Sequence, residues 1–262
     1  VTLTIDARPA LAPLVAEATF IRRSVLHSLR NTEAMLMAVM LPTMLMLLFT
    51  FVFGGAFAVG GAYVDYVVPG IILLCAGFGA ASTAVSVSLD MTTGIIDRFR
   101  TMPLRGTAVL TGHVVASLLR NLLATGVVIG VALLVGFRPS AGVLEWIAAI
   151  ALVAFYILAI TALFAAIGLA ASTPDAANGY GFILLFVPYL SSAFVPTSTM
   201  PEWLRWVADN QPVTPIIETI RGLLMGTDLS TDWPAALLWC AVILAVATAW
   251  GAWLFRRKAA RR

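Results

Sequence analysis

The sequence predicts an all-α integral membrane protein: six transmembrane helices, an N-terminal amphipathic interfacial helix, and a short re-entrant helical hairpin before the last span. Three observations predict it. Hydrophobic residues make up 61% of the 262 residues and charged residues only 11%, whereas soluble domains carry about a quarter charged residues. Six apolar runs each approach the ~20 residues that cross a bilayer as a helix. The runs are continuous rather than alternating, which selects helices over a membrane barrel. The net charge is +3, but the basic residues flank apolar runs instead of forming a patch, so nucleic acid is not an expected partner.

Residues 1–33 read as a tail followed by the interfacial helix. Leu14, Ala18, Ile21, Val25 and Leu29 recur at helical spacing, with Glu17, Arg22, Arg23, His27 and Arg30 mostly off that stripe. Such a helix lies in the headgroup layer with its basic side chains toward anionic lipids. The transmembrane domain, 34–255, has spans expected at 34–53, 69–89, 114–135, 146–171, 177–194 and 234–255, with a basic tail at 256–262. Pro42 and Pro188 are expected to kink the first and fifth spans. Gly126 and Gly130 form a G-x-x-x-G in the third, a spacing that lets helix backbones approach closely. Ser82, Thr83, Ser86 and Ser88 read as helix-packing hydroxyls.

The arginines orient the chain. Arg8, Arg22, Arg23 and Arg30 precede the first span, Arg98, Arg100 and Arg105 follow the second, and Arg256, Arg257, Lys258, Arg261 and Arg262 end the chain. The other side holds only Arg138, Arg205 and Arg221. The positive-inside rule puts both termini in the cytoplasm, in agreement with an even number of spans, and the expected location is the plasma membrane.

Two polar stretches stand out. The 90–112 loop, between the second and third spans, contains Gly94 and Pro103 around a short amphipathic run. There Ile95, Ile96 and Phe99 share one helical face while Asp97, Arg98 and Arg100 occupy the other. The 195–233 stretch precedes the last span. Thr199 and Glu202 have capping-box spacing, with Pro201 in the first turn, and start a helix carrying Trp203. Thr214 is expected to cap a second helix, with Pro215 first in it and Gly226 just past its end. Glu218 and Arg221, three apart, can pair. Two short apolar helices outside the core predict the re-entrant hairpin.

Several chemistries are excluded. Lys258 is the only lysine, so no G-x-x-x-x-G-K-[ST] phosphate loop exists in this sequence. Cys75 and Cys240 lie inside apolar runs, which argues against a disulfide framework or a metal site. Neither catalytic residues nor metal ligands are expected. No span has a central Asp, Glu or Lys, which weighs against an ion-coupled pump. Arg120 is expected to snorkel to the cytoplasmic surface.

The 94–104 loop, G-I-I-D-R-F-R-T-M-P-L, and the stretch from Phe194-Val195-Pro196 through Met200-Pro201-Glu202-Trp203 and Gln211-Pro212 to Ile220-Arg221-Gly222 resemble the permeases of ABC-2 type exporters, close to the daunorubicin-resistance group. The likeness covers nearly the full length. Asp97 stands where these permeases commonly carry Glu, a shorter reach for the same charge. The resemblance implies that Ile95 to Arg100 form a coupling helix docking on a separate ATPase subunit, which binds ATP and Mg. The interfacial helix would touch the same subunit, and a second permease copy or a sibling permease would complete the transporter. The apolar lining favours export of a lipophilic or amphipathic drug, antibiotic or lipid. The alternative class is an ion-coupled carrier or a structural part of a membrane complex.

Overall fold

The structure, a computed structural model, describes residues 32–56, 61–92, 107–226 and 232–260. The expected interfacial helix with Glu17, Arg22, Arg23 and Arg30, and the loop residues Ile95, Ile96, Asp97, Arg98, Phe99 and Arg100, lie outside the described residues.

The regular structure of the described residues is helical, with eight α-helices. α1 (Thr32–Leu47) runs on through a π-helical stretch, Leu48–Phe53, and a 3-10 turn, Gly54–Ala56. α2 is Tyr63–Thr92, α3 Thr107–Val135 and α4 Val143–Ala170. α5 is Pro174–Leu184, followed by a 3-10 turn, Val187–Leu190. α6 (Glu202–Asn210) and α7 (Val213–Met225) are short, and α8 is Asp232–Ala260.

Among the described residues, five helices are long and apolar enough to cross a membrane: α1 with its extension, α2, α3, α4 and α8. The expected fifth span, 177–194, is not one continuous helix. Asn178, Gly179 and Gly181 are poor helix formers, and Pro188 lacks the N–H that would continue an α-helical ladder. The chain therefore stops at Leu184 after eleven residues and tightens into a 3-10 turn containing Pro188. α5 starts cleanly, because the Thr173 side chain accepts from the Ala176 N–H and Pro174 opens the helix. The second span begins earlier than expected. Pro69 sits within α2, six residues from its start, and is buried there.

α2 is the central helix and the most buried of the five. It packs against α1, α3, α4 and α5, while α8 packs on α4 and α7. Close approach is set by glycines. A Cβ on Gly70 would stand 2.6 Å from the Ala193 Cβ, and a methyl on Gly168 of α4 would run into the Ala84 backbone of α2. Apolar association gains little inside lipid, so interfaces rest on small residues and interhelical hydrogen bonds. The expected G-x-x-x-G is not one of these contacts, since neither Gly126 nor Gly130 has anything within 4 Å of where a Cβ would stand.

The segment from α5 onward runs along α2. Gly181 lies beside Ala81, Gly77 faces Leu185, Gly70 faces Ala193, and the Tyr63 hydroxyl donates to the Phe194 carbonyl at 2.8 Å. Around Tyr63, Phe49 of the α1 extension stacks on Phe194 with centroids 4.2 Å apart, and Phe194 stacks on Tyr189. This end of the bundle also holds the α3–α4 connection. The Arg138 N–H donates to Asp65 and the Ser140 N–H to the Leu224 carbonyl of α7.

Candidate functional site

The polar groups of the interior gather in two places. The first surrounds α7. Its helix begins at Val213, after Pro212, and ends on Gly226, whose φ of 68° is the left-handed conformation expected of a glycine C-cap. Thr214 does not cap it. The Thr214 hydroxyl donates instead to the Ala208 carbonyl, fastening α7 to α6. The expected capping box of α6 is also absent. The Thr199 hydroxyl donates to the Pro196 carbonyl, and Pro201 at the N-cap position has no side-chain acceptor to offer.

Glu218 and Arg221 pair as expected, at 2.5 Å. Arg221 does more than that spacing indicated. Its guanidinium donates from Nη2 to the Tyr66 carbonyl (3.0 Å) and the Ser192 carbonyl (2.9 Å), and stacks 3.8 Å over the Tyr66 ring. One buried cation thus joins α7, the start of α2 and the chain after the 3-10 turn. Ile216, Ile217, Ile220 and Leu224 are buried beside it. Glu202 and Trp203 are not brought to this cluster. Both are exposed on α6, where only Ala208 is buried.

The second place is a seam between α2 and α3. Arg120 does not snorkel. It is buried near the middle of both helices, where its Nη2 donates to the Gly79 carbonyl (2.9 Å) and the Ser82 hydroxyl (2.6 Å). The physical reason is proximity, because α2 offers an acceptor within reach while the surface lies about two turns or more away along α3. Thr83 donates to Ser117 at 2.9 Å, and the Asn121 amide packs against Gly79 so closely that any side chain there would collide. Ser82 and Thr83 are thus the helix-packing hydroxyls expected. Where α2 ends and α3 begins, His113 and Asp90 meet at 2.7 Å. These two residues flank the 93–106 connection in sequence, and nothing in the periodicity singled them out. Ser117, Asn121 and Thr125 follow one another at four-residue spacing, a signal that could have revealed the seam.

The seam leads to a cavity of about 360 Å³ between α2, α3, α4 and α7. Ile72, Ile220 and Leu224 form its floor, and Thr125, Gly126 and Trp146 are among its wall residues. No charged side chain lines it. Cys75 and Cys240 are both free and buried.

A helical bundle with five membrane-length apolar helices among its described residues, an internal polar seam and a short helix locked into one end defines a polytopic membrane protein. Residues 17–225 match the ABC-2 type transporter family, and the chain belongs to that family. It is 30% identical over 241 residues to the daunorubicin resistance ABC transporter permease protein DrrB1 of Streptomyces coeruleorubidus, covering 91% of this chain and 84% of that protein. It is 26% identical over 213 residues to the probable doxorubicin resistance ABC transporter permease protein DrrC of Mycobacterium tuberculosis, covering 80% and 76%.

Proposed function

We propose that the chain is the transmembrane part of an ATP-driven exporter that moves a lipophilic or amphipathic compound out across the plasma membrane. The observation that carries this reading is membership of the ABC-2 family in a chain whose only lysine, Lys258, lies beyond its last apolar run. Without a phosphate loop, ATP and Mg would be held by a separate ATPase subunit. The two relatives are named for resistance to daunorubicin and doxorubicin, which points to drug-like cargo.

In this reading the chain crosses six times, with the fifth crossing broken at Leu184. Gly181 lies beside Ala81 and Phe194 beside Tyr63. Those positions on α2 are eighteen residues, about 27 Å, apart, close to the hydrocarbon thickness of about 30 Å. The arginine distribution then supports cytoplasmic termini, with α6 and α7 as a hairpin in the outer leaflet. A second copy or a sibling permease would enclose the cargo path, and lipids would cover the remaining apolar faces.

Ile95, Ile96 and Phe99 would seat in the ATPase while Asp97, Arg98 and Arg100 set its specificity. Glu17, Arg22, Arg23 and Arg30 would flank that contact. The Asp90–His113 pair ties together the two helices that bracket the loop, so a push on the loop would reach both. The test is a reconstituted complex carrying Asp97→Arg beside a control change at Thr107. The expected result is loss of ATPase retention or of cargo-stimulated hydrolysis, with insertion unchanged. Full retention and transport by both Asp97→Arg and Phe99→Ala would sink the coupling role.

A further inference from the structure

We infer that the cavity between α3 and α4 is a cargo site for a lipophilic ring system bearing a hydroxyl or carbonyl group, taken up sideways from the bilayer. The inference rests on the exporter reading above and names where in this chain the cargo sits.

Four observations carry it. The cavity holds about 360 Å³, inside the range of about 300–1,000 Å³ typical of small-molecule sites. Its mouth lies by Gly126 and Ile150, both exposed. Gly126 is nine residues from the end of α3 and Ile150 seven from the start of α4, so the opening is about 10–14 Å from those helix ends. It faces lipid rather than water, and an occupant arriving there must be lipid-soluble. The walls are carbon apart from the Trp146 indole and the Thr125 hydroxyl, which excludes an ionised group inside.

The fourth observation separates a ring-bearing ligand from an ordinary acyl chain. Thr125 is 3% exposed, and its Oγ1 has no nitrogen or oxygen partner among the described residues, only the weakly accepting Cys75 sulfur beside it. The neighbouring Cys75 thiol donates to the Ala38 carbonyl instead, at 3.4 Å. A buried hydroxyl facing only a weak sulfur acceptor is poorly satisfied. An acyl chain offers it nothing, whereas a ligand hydroxyl or carbonyl in the cavity satisfies it. Trp146 supplies an aromatic face for the ring.

Gly126 and Gly130 supply a matched pair of probes. Both lie on α3 with open space around the Cβ position, but only Gly126 lines the cavity. A Cβ at either position meets nothing within 4 Å, and replacing a helical glycine favours the helix. The experiment measures equilibrium binding of the radiolabelled aglycone of daunorubicin, the neutral ring system with its hydroxyl and carbonyl groups but without the amino sugar, to the permease–ATPase complex in proteoliposomes, with export measured in the same vesicles. Wild type is expected to bind saturably. Gly126→Phe should weaken binding at least about tenfold, with Gly126→Leu intermediate, and Gly130→Phe should leave it unchanged. Thr125→Val, which keeps shape and removes the hydroxyl, should weaken it about three- to tenfold, as one hydrogen bond of about 1 kcal/mol implies.

Equal binding in wild type and Gly126→Phe overturns the site. Equal losses in Gly126→Phe and Gly130→Phe overturn it in favour of a helix face that packs on a second copy. Unchanged binding in Thr125→Val overturns the hydroxyl-bearing class. Export without saturable binding removes the cavity alone, whereas absence of both removes the exporter reading for this cargo class as well.

Discussion

α6 and α7 are consecutive short helices, each with an arginine paired to an acid on its own surface, and the two pairs have opposite fates. Arg205 and Asp209 meet at 3.5 Å with about half of each side chain exposed. Arg221 and Glu218 meet with Arg221 almost wholly buried. The spacing rule that predicts both pairs is the same. What differs is what else the arginine touches. Arg205 lies on an exposed helix, whereas Arg221 holds two carbonyls of distant segments and the face of Tyr66. An ion pair in a helix thus says little about stability until its surroundings are known. An exposed pair is worth about 0–1 kcal/mol, and loss of one partner from a buried pair costs about 3–5 kcal/mol.

Substitutions can sharpen or break this contrast, with stability read from reversible unfolding in mixed detergent micelles. The largest effect is expected from Arg221→Ala, about 3 kcal/mol of destabilisation, because Glu218 and two carbonyls lose their donor. A loss below about 1 kcal/mol would mean that α7 is held by its apolar face alone. Leu224→Ala comes next, at about 2 kcal/mol, since this fully buried residue borders an existing cavity and truncation enlarges it. Leu223, only half-buried, should cost less. Glu218→Gln should cost about 1.5 kcal/mol, as a neutral amide still accepts from Arg221 but without the charge. The smallest effects belong to α6. Arg205→Ala should change stability by less than about 0.5 kcal/mol, as should Trp203→Ala, whose ring is 72% exposed. A larger loss at either would show that α6 is covered by a partner or by lipid headgroups.

The two buried arginines, Arg221 and Arg120, differ in how close in sequence their partners lie. Glu218–Arg221 was legible because spacing alone brings the side chains together. Arg120 buries instead of snorkelling, and its partners, the Gly79 carbonyl and Ser82, are about forty residues away in sequence and invisible to a local rule. Burying an arginine at mid-span costs about 2.5–3.5 kcal/mol on insertion scales. Its contacts to α2 are the means by which that cost is offset, so the residue joins two helices instead of reaching the surface. The glycines repeat the lesson. G-x-x-x-G spacing pointed to Gly126 and Gly130, yet the tight contacts fall at Gly70, Gly79 and Gly168. Spacing describes one helix, while close approach belongs to two.

By itself the sequence determined the class, the rough extent of five of the six expected membrane-length helices, the existence of α6 and α7, the Gly226 cap and the family. All of these follow from composition, from runs longer than a bilayer is thick, and from backbone preferences within a few residues. The break within 177–194 is already written in Asn178, Gly179, Gly181 and Pro188, whereas tertiary structure alone decided that the segment from α5 onward runs along α2. It also decided that α7 is buried while α6 is exposed, that Thr199 and Thr214 bond to carbonyls instead of capping helices, and that Thr125 and Gly126 face a cavity. Each of these depends on which acceptor or empty volume a distant segment places beside the residue, and no periodicity in the chain records that.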